Sequence, residues 1–421
     1  MRAPQNRRVL VVGSEVVTPL GPSLEATWRE AERGAPRFEI AACCEPLGLR
    51  VPVGLLRGFD PRAHAFCTEK ELANWNAAFV LLTMAVCERA VAASGVDLAG
   101  ELGPRTACLM GSALNGHDAF RVASEQLATH GYLRVSPFLL PNLCSNVPAG
   151  KAGAWLGFTG PIVAPGGACA SGNHAIALGA RLIRDGDVDL AIVGGVDTPI
   201  VPEIVVGFAN MNAAVKLRPG DRAHDDPAQA SRPFSADRKG FVLAEGAGAL
   251  VLAAEEVARA HGLAARAEVL GVGWTSDAHH FTRLYGPSVV RAMQQAIEDA
   301  GLAPEDIDCV SAHGTSTQNG DRIEVESLRE VFGTRLARLP VTANKSLVGH
   351  SLGAAAAVEA ALAVEGMRRG RILPTANYLP DPELGELDVV AGEPRAQAHE
   401  LTLNNAFGFG GTNCSLVLRG L

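Results

Sequence analysis

The sequence is poor in aromatic residues, 5% of its 421 positions, and in charge, with 19% Asp, Glu, Lys and Arg. No stretch approaches the roughly 18 apolar residues that would suggest a membrane span. The opening Met-Arg-Ala-Pro-Gln-Asn-Arg-Arg leads into a short apolar strand and lacks the long apolar segment and cleavage site of a secretory signal. The nine cysteines include no CxxC pair, which argues against a zinc knuckle or a redox motif and suits a reducing cytoplasm. Long basic runs are also missing and the net charge is −8, so the field of the whole chain repels phosphate backbones and nucleic acid is not an expected partner.

What is present is a hydrophobic fraction of 48% and 46 glycines, the profile of a tightly packed globular enzyme. The length allows two or three domains, or one large duplicated one. Arg8 to Val17 reads as a β-branched strand, Leu24 to Arg33 as a helix and Glu71 to Ser94 as a longer helix. Short apolar runs closed by glycine, Thr106 to Gly111 and Val188 to Val193, read as buried strands of an α/β chain with parallel pairing. The segment Phe241 to Leu252 is expected to form edge strands. After Gly262 the alternation of strand and helix begins again, so a boundary between halves is placed there. Cys67, Cys87, Cys108, Cys144 and Cys309 lie in or beside apolar runs and are expected to be inert core thiols.

The sharpest local feature is Gly166-Gly167-Ala168-Cys169-Ala170-Ser171-Gly172, between an apolar run and a helix-like stretch. An elbow of this kind puts Cys169 at a helix N-terminus, where free amides and the positive dipole end lower a thiol pKa and can hold an oxyanion. For a cysteine considered alone, a buried structural role is the simpler reading. Two further strand ends change that balance. One carries His313-Gly314-Thr315-Ser316-Thr317, the other Lys345-Ser346-Leu347-Val348-Gly349-His350. Catalytic groups gather at strand ends in α/β folds. No grouping of His, Cys, Asp or Glu has metal spacing.

Taken with Gly320-Asp321, with Gly240 to Ala247 and with Asn405-Ala406-Phe407-Gly408-Phe409-Gly410-Gly411-Thr412-Asn413, these motifs resemble the elongating β-ketoacyl-acyl-carrier-protein synthases, in order and in spacing, over nearly the whole chain. The resemblance implies an α/β thiolase-like fold of two duplicated α/β/α halves in five α-β-α-β-α layers. Residues 1–262 carry the nucleophile and residues 263–421 the histidines and lysine. It implies that Cys169 takes the acyl chain and that the amides of Cys169 and Phe409 form the oxyanion hole. His313 and His350 then act on the malonyl group while Lys345, with Glu324 and Glu359, orients and tunes them; Asp321, Thr315 and Thr317 are supporting residues. Phe409 resembles the family's gate.

The implied partner is an acyl carrier protein bearing acyl and malonyl phosphopantetheine thioesters, with a homodimer, or a heterodimer with a related subunit, as the assembly. No cofactor is implied. Arg134, Lys216 and Arg218 are candidate carrier contacts. Leu114, Phe138, Leu139 and Phe281 are candidate pocket walls, each equally readable as ordinary core. Relatives usually have glycine where Ala356 stands, which leaves the acyl pocket open. A thiolase would need a second catalytic cysteine, for which Cys414 is the candidate, and a non-catalytic chain-length subunit would lack the nucleophile.

Overall fold

The computed structural model describes residues 7–421; residues 1–6 of the opening segment, on which the expectation of no secretory signal partly falls, lie outside the described residues. Ten strands form one large sheet: β1 Val9–Val17, β2 Thr106–Gly111, β3 Ile162–Val163, β4 Leu190–Asp197, β5 Gly246–Ala254, β6 Ala267–Ser276, β7 Cys309–Ser311, β8 Val341–Thr342, β9 Leu401–Gly408 and β10 Thr412–Gly420. Their spatial order is β8-β7-β9-β10-β6-β1-β5-β4-β2-β3.

The first five strands run β1-β5-β4-β2-β3 from the middle outward, and the last five run β6-β10-β9-β7-β8. In each half the two inner pairings are antiparallel and the two outer ones parallel. The same topology therefore occurs twice, joined where β1 pairs with β6 through Leu10–Glu268 and Val11–Ala267. Strands covered on both faces need continuous apolar runs, and β4 and β5 are buried at every position.

Five helices complete the layers: α1 Ala78–Ser94, α2 Ser171–Arg184, α3 Gly286–Asp299, α4 Gln318–Phe332 and α5 Ala355–Arg369. Helix α1 packs on β1 and β5 from outside, and α3 and α4 pack on the outer face of the second half. Between the halves α2 and α5 lie against each other and touch strands of both. Gly172 permits this approach, since a Cβ there would fall 2.6 Å from the amide nitrogen of Ala357. Three apolar cores fill the spaces between the five layers.

Two sequence expectations are corrected. The segment Phe241 to Leu252 lies at an edge only over Leu243–Ala244, the outer strand of a small three-stranded sheet, whereas β5 runs between β1 and β4, near the middle of the large sheet. Gly194 and Gly248 let β4 and β5 approach, because a Cβ on Gly194 would meet the carbonyl of Gly248 at 2.0 Å. The expected helix from Glu71 to Ser94 is two helices, Glu69–Asn74 and α1. Side chains from elsewhere start the second one: Asn142 Oδ1 accepts from the Ala77 amide and Asp118 Oδ2 from the Ala78 amide. Among the expected core thiols, Cys87, Cys108 and Cys309 are buried, Cys67 is half-buried, and Cys144 is exposed beyond the helix Leu139–Leu143.

Candidate active site

Cys169 sits on a single 3-10 turn, Ala168–Ala170, that runs directly into α2. Ala168 takes a left-handed φ of +47°, which turns the chain sharply enough to present the thiol. Gly167 beside it is required by space, since a Cβ would lie 2.1 Å from His174 Nδ1. The strand end of β9 closes on the same turn, with a Cβ at Gly408 only 2.4 Å from the Gly167 carbonyl.

The expected lowering of the thiol pKa does not prevail. Burial pushes Cys169 up to about 12, against the charge of Lys345 and the backbone amides of Phe409 and Cys169, which point at the sulfur and favour its anion. Desolvation by the protein packed around the half-buried thiol outweighs the helix start.

His350 Nε2 lies 3.2 Å from Cys169 Sγ. His313 follows β7 and stands next to His350, ring centroids 5.8 Å apart and planes nearly perpendicular at 88°. Phe241 meets the His350 ring edge to face, and Phe407 lies against His313. Burial, reinforced by the charge of Lys345, holds both imidazoles well below the ordinary histidine value, so both are neutral at pH 7. The Nδ1 atom of each is buried with no partner among the described residues.

Beneath them, Lys345 Nζ donates to both oxygens of Glu359, at 2.7 and 2.8 Å, with both residues buried. Glu324 supports His313 through the backbone, accepting from the amides of His313 at 2.8 Å and Gly314 at 2.7 Å. Asp321 accepts from the Phe234 amide at 2.8 Å and lies 3.9 Å from Arg238. Thr315 and Thr317 share a hydroxyl contact of 3.0 Å.

Cys169, His313, His350, Thr315, Thr317 and Phe409 all line one cavity of about 1030 Å³. Leu114 lines it too; three other expected wall residues do not. The Phe138 ring packs edge-on against Trp75, and Leu139 opens the short helix beside it. Phe281 is 72% exposed and stacks on His280; only its carbonyl serves the site, accepting from the Gly410 amide at 2.7 Å. Ala356 is buried in the core between the halves, away from the cavity lining.

Lys216 and Arg218 border the cavity, whereas Arg134, on the turn Tyr132–Arg134, does not. Sequence reasoning overlooked Lys239, Arg283 and Arg322 in the same lining, because single basic residues, two on loops and one in the first turns of α4, carry no signal of what they face. It also overlooked Phe208, which lies 6.3 Å from the Phe409 ring, and buried Asp197. The latter was findable by the rule that located the histidines, a polar residue closing an apolar strand. Cys414 is buried inside β10, and burial raises its thiol strongly, so it faces no site.

A cysteine-bearing turn, two neutral imidazoles and a buried lysine–carboxylate pair, set on a duplicated α/β/α frame, are the arrangement of a thiolase-like condensing-enzyme architecture. The chain belongs to the β-ketoacyl synthases: residues 6–258 match the N-terminal domain of that family and residues 266–379 its C-terminal domain. It is 34% identical to 3-oxoacyl-acyl-carrier-protein synthase 2 of Staphylococcus aureus strain N315, over 99% of both chains. It is 36% identical to the protein of the same name from Rhizobium meliloti strain 1021, over 98% of this chain and 99% of that one. Among solved structures, the ishigamide ketosynthase/chain length factor superposes with a TM-score of 0.89 at 29% identity, covering 99% of this chain and all of the other.

Proposed function

We propose that the protein is an elongating β-ketoacyl synthase that carries the growing acyl group on Cys169. The observation that supports this most is the contact of 3.2 Å between Cys169 Sγ and His350 Nε2, with His313 alongside in one cavity. Residues 1–262 serve as the half bearing the nucleophile and residues 263–421 as the half bearing the histidines and lysine.

In acyl transfer, Sγ attacks the carbonyl carbon of the carrier thioester. The carrier's C–S bond breaks, and the thiol proton ends on the departing carrier sulfur. The amides of Cys169 and Phe409, which point at Sγ, are the donors beside it available to the carbonyl oxygen as that oxygen takes negative charge. In condensation, the malonyl carboxylate leaves as carbon dioxide and its electron pair passes to the enolate. A buried N–H without a partner is costly, so the unpartnered Nδ1 atoms favour imidazoles that carry their proton on Nε2. His350 Nε2 then offers a donor beside Sγ, and His313 supplies a second neutral donor for the enolate oxygen. Neither has an acidic proton with which to quench the carbanion. The carbanion attacks the acyl carbon, Cys169 sulfur leaves as thiolate and a proton restores the thiol.

The basic residues Lys216, Arg218, Lys239, Arg283 and Arg322 at the cavity suit an acidic carrier and its phosphopantetheine. Exposed apolar side chains at Phe120, Leu127, Tyr132, Leu133 and Leu140, together with the short edge strand β3, suit a homodimer across that face. A heterodimer with a related subunit is a second reading, favoured by the likeness to a ketosynthase paired with a chain length factor. Nine unbridged cysteines suit a cytoplasmic location. The test is the purified chain alone with acyl and malonyl carriers. Release of carbon dioxide with a 3-oxoacyl carrier is expected; absence of both products would sink the proposal.

A further inference from the structure

Outside the residues assigned to chemistry, the most fully engaged buried carboxylate is Asp197, the last residue of β4. Its Oδ1 accepts from Ser112 Oγ at 2.7 Å and the Leu114 amide at 2.9 Å. Its Oδ2 accepts from the Ala113 amide at 2.9 Å and the Gly353 amide at 2.7 Å. Four donors on two oxygens answer the desolvation of the carboxylate, and burial lifts it only to about 6.

All four donors belong to two segments that face the large cavity. Ala113 and Leu114 line it, and so does Leu352, the neighbour of Gly353. Gly353 has no space for a side chain, since a Cβ would fall 2.6 Å from the Ala113 amide and 2.8 Å from Asp197 Oδ2. The turn Leu352–Ala354 also repeats the nucleophile's turn: a φ of +47° at Leu352, as at Ala168, then one 3-10 turn, then a central helix. At the first turn the amides face the reacting sulfur. At the second, the matching amide is already occupied by Asp197.

We propose that Asp197 is a positioning residue that sets the wall of the acyl cavity. By tying Ser112, Ala113 and Leu114 to the Gly353 turn, it fixes how far Leu114 and Leu352 stand from a chain attached to Cys169. This rests on the reading of Cys169 as the acyl-bearing residue. A short acyl chain ends before it meets much of the wall, whereas a long one must run along it, so loosening the tie acts on long chains first. Asp197→Asn keeps the volume but turns an NH2 toward one pair of donors. Ser112→Ala removes a single donor and leaves three.

The experiment compares loading of Cys169 from butyryl and dodecanoyl carriers by intact mass. The long-to-short rate ratio is expected to fall on the order of tenfold in Asp197→Asn and about threefold in Ser112→Ala, the scale of one or two lost hydrogen bonds to a charge. A uniform slowing, with the ratio within about twofold of wild type in both variants, overturns the proposal and leaves Asp197 a fold support. Should Asp197→Asn not fold, Ser112→Ala decides by the same criterion. Wild-type protein that takes up neither chain overturns the reading of Cys169 itself, and the proposal with it.

Discussion

At the head of α2 a strained alanine, a 3-10 turn and two converging amides surround Cys169; at the head of α5 a strained leucine, a 3-10 turn and an equally placed amide surround Gly353. The two turns differ in what fills them. The first presents a sulfur to a cavity and to His350, while the second is closed over by Asp197. The duplicated fold therefore supplies an amide-presenting turn twice, once toward the cavity and once toward the Asp197 carboxylate, and on the proposed reading only the first serves chemistry.

That contrast breaks most visibly if the histidines facing the first turn are dispensable. His313→Ala and His350→Ala are each expected to lower condensation by on the order of 10³-fold, the scale for removing a transition-state donor. His350→Ala should also slow acyl loading, because of the two histidines it is His350 that contacts the sulfur. Rapid-quench assays that separate loading from carbon dioxide release check both; equal effects of the two variants on both steps contradict the assignment.

The dry pair beneath the first turn gives the next effect. Lys345→Met leaves Glu359 buried and unpartnered, at an expected cost of about 3–5 kcal/mol in urea unfolding. Replacing both members by apolar residues should recover most of it. The smallest effect lies at Asp321, away from either turn. Burial pushes its carboxyl up to about 7, so the native state keeps a proton that the unfolded chain gives up near pH 4. Its stabilising contribution is present at low pH and fades as pH rises through 7. The penalty of Asp321→Asn is therefore expected to shrink by about 2 kcal/mol between pH 5 and pH 8, as read by urea unfolding at the two pH values.

The strand ends bearing Cys169, His313 and Lys345 to His350 were legible because a short apolar run that stops at a glycine or a polar residue beside a reactive side chain says where the core ends. Glu359 was legible for the opposite reason, as a carboxylate inside an alanine-rich apolar stretch that demanded a buried partner; Lys345 meets it at 2.7 Å. Pocket walls were not legible. Phe138 and Phe281 have the right chemistry, but the direction of a ring is set by tertiary packing, against Trp75 far away in sequence in one case and out into solvent over the adjacent His280 in the other. The position of β5 was missed because glycine in a strand signals either an edge or a close crossing, and only the facing strand distinguishes them. The thiol's pKa was missed because local sequence reports the helix start but not the desolvation by segments packed around it from elsewhere in the chain.

The central claim, that the first turn alone carries the acyl group, is tested most directly by peptide mass mapping after incubation with an acyl carrier. The account predicts one adduct, on the peptide containing Cys169, and none in Cys169→Ala. An adduct of wild-type yield in that variant, or one on exposed Cys144 in place of Cys169, contradicts it.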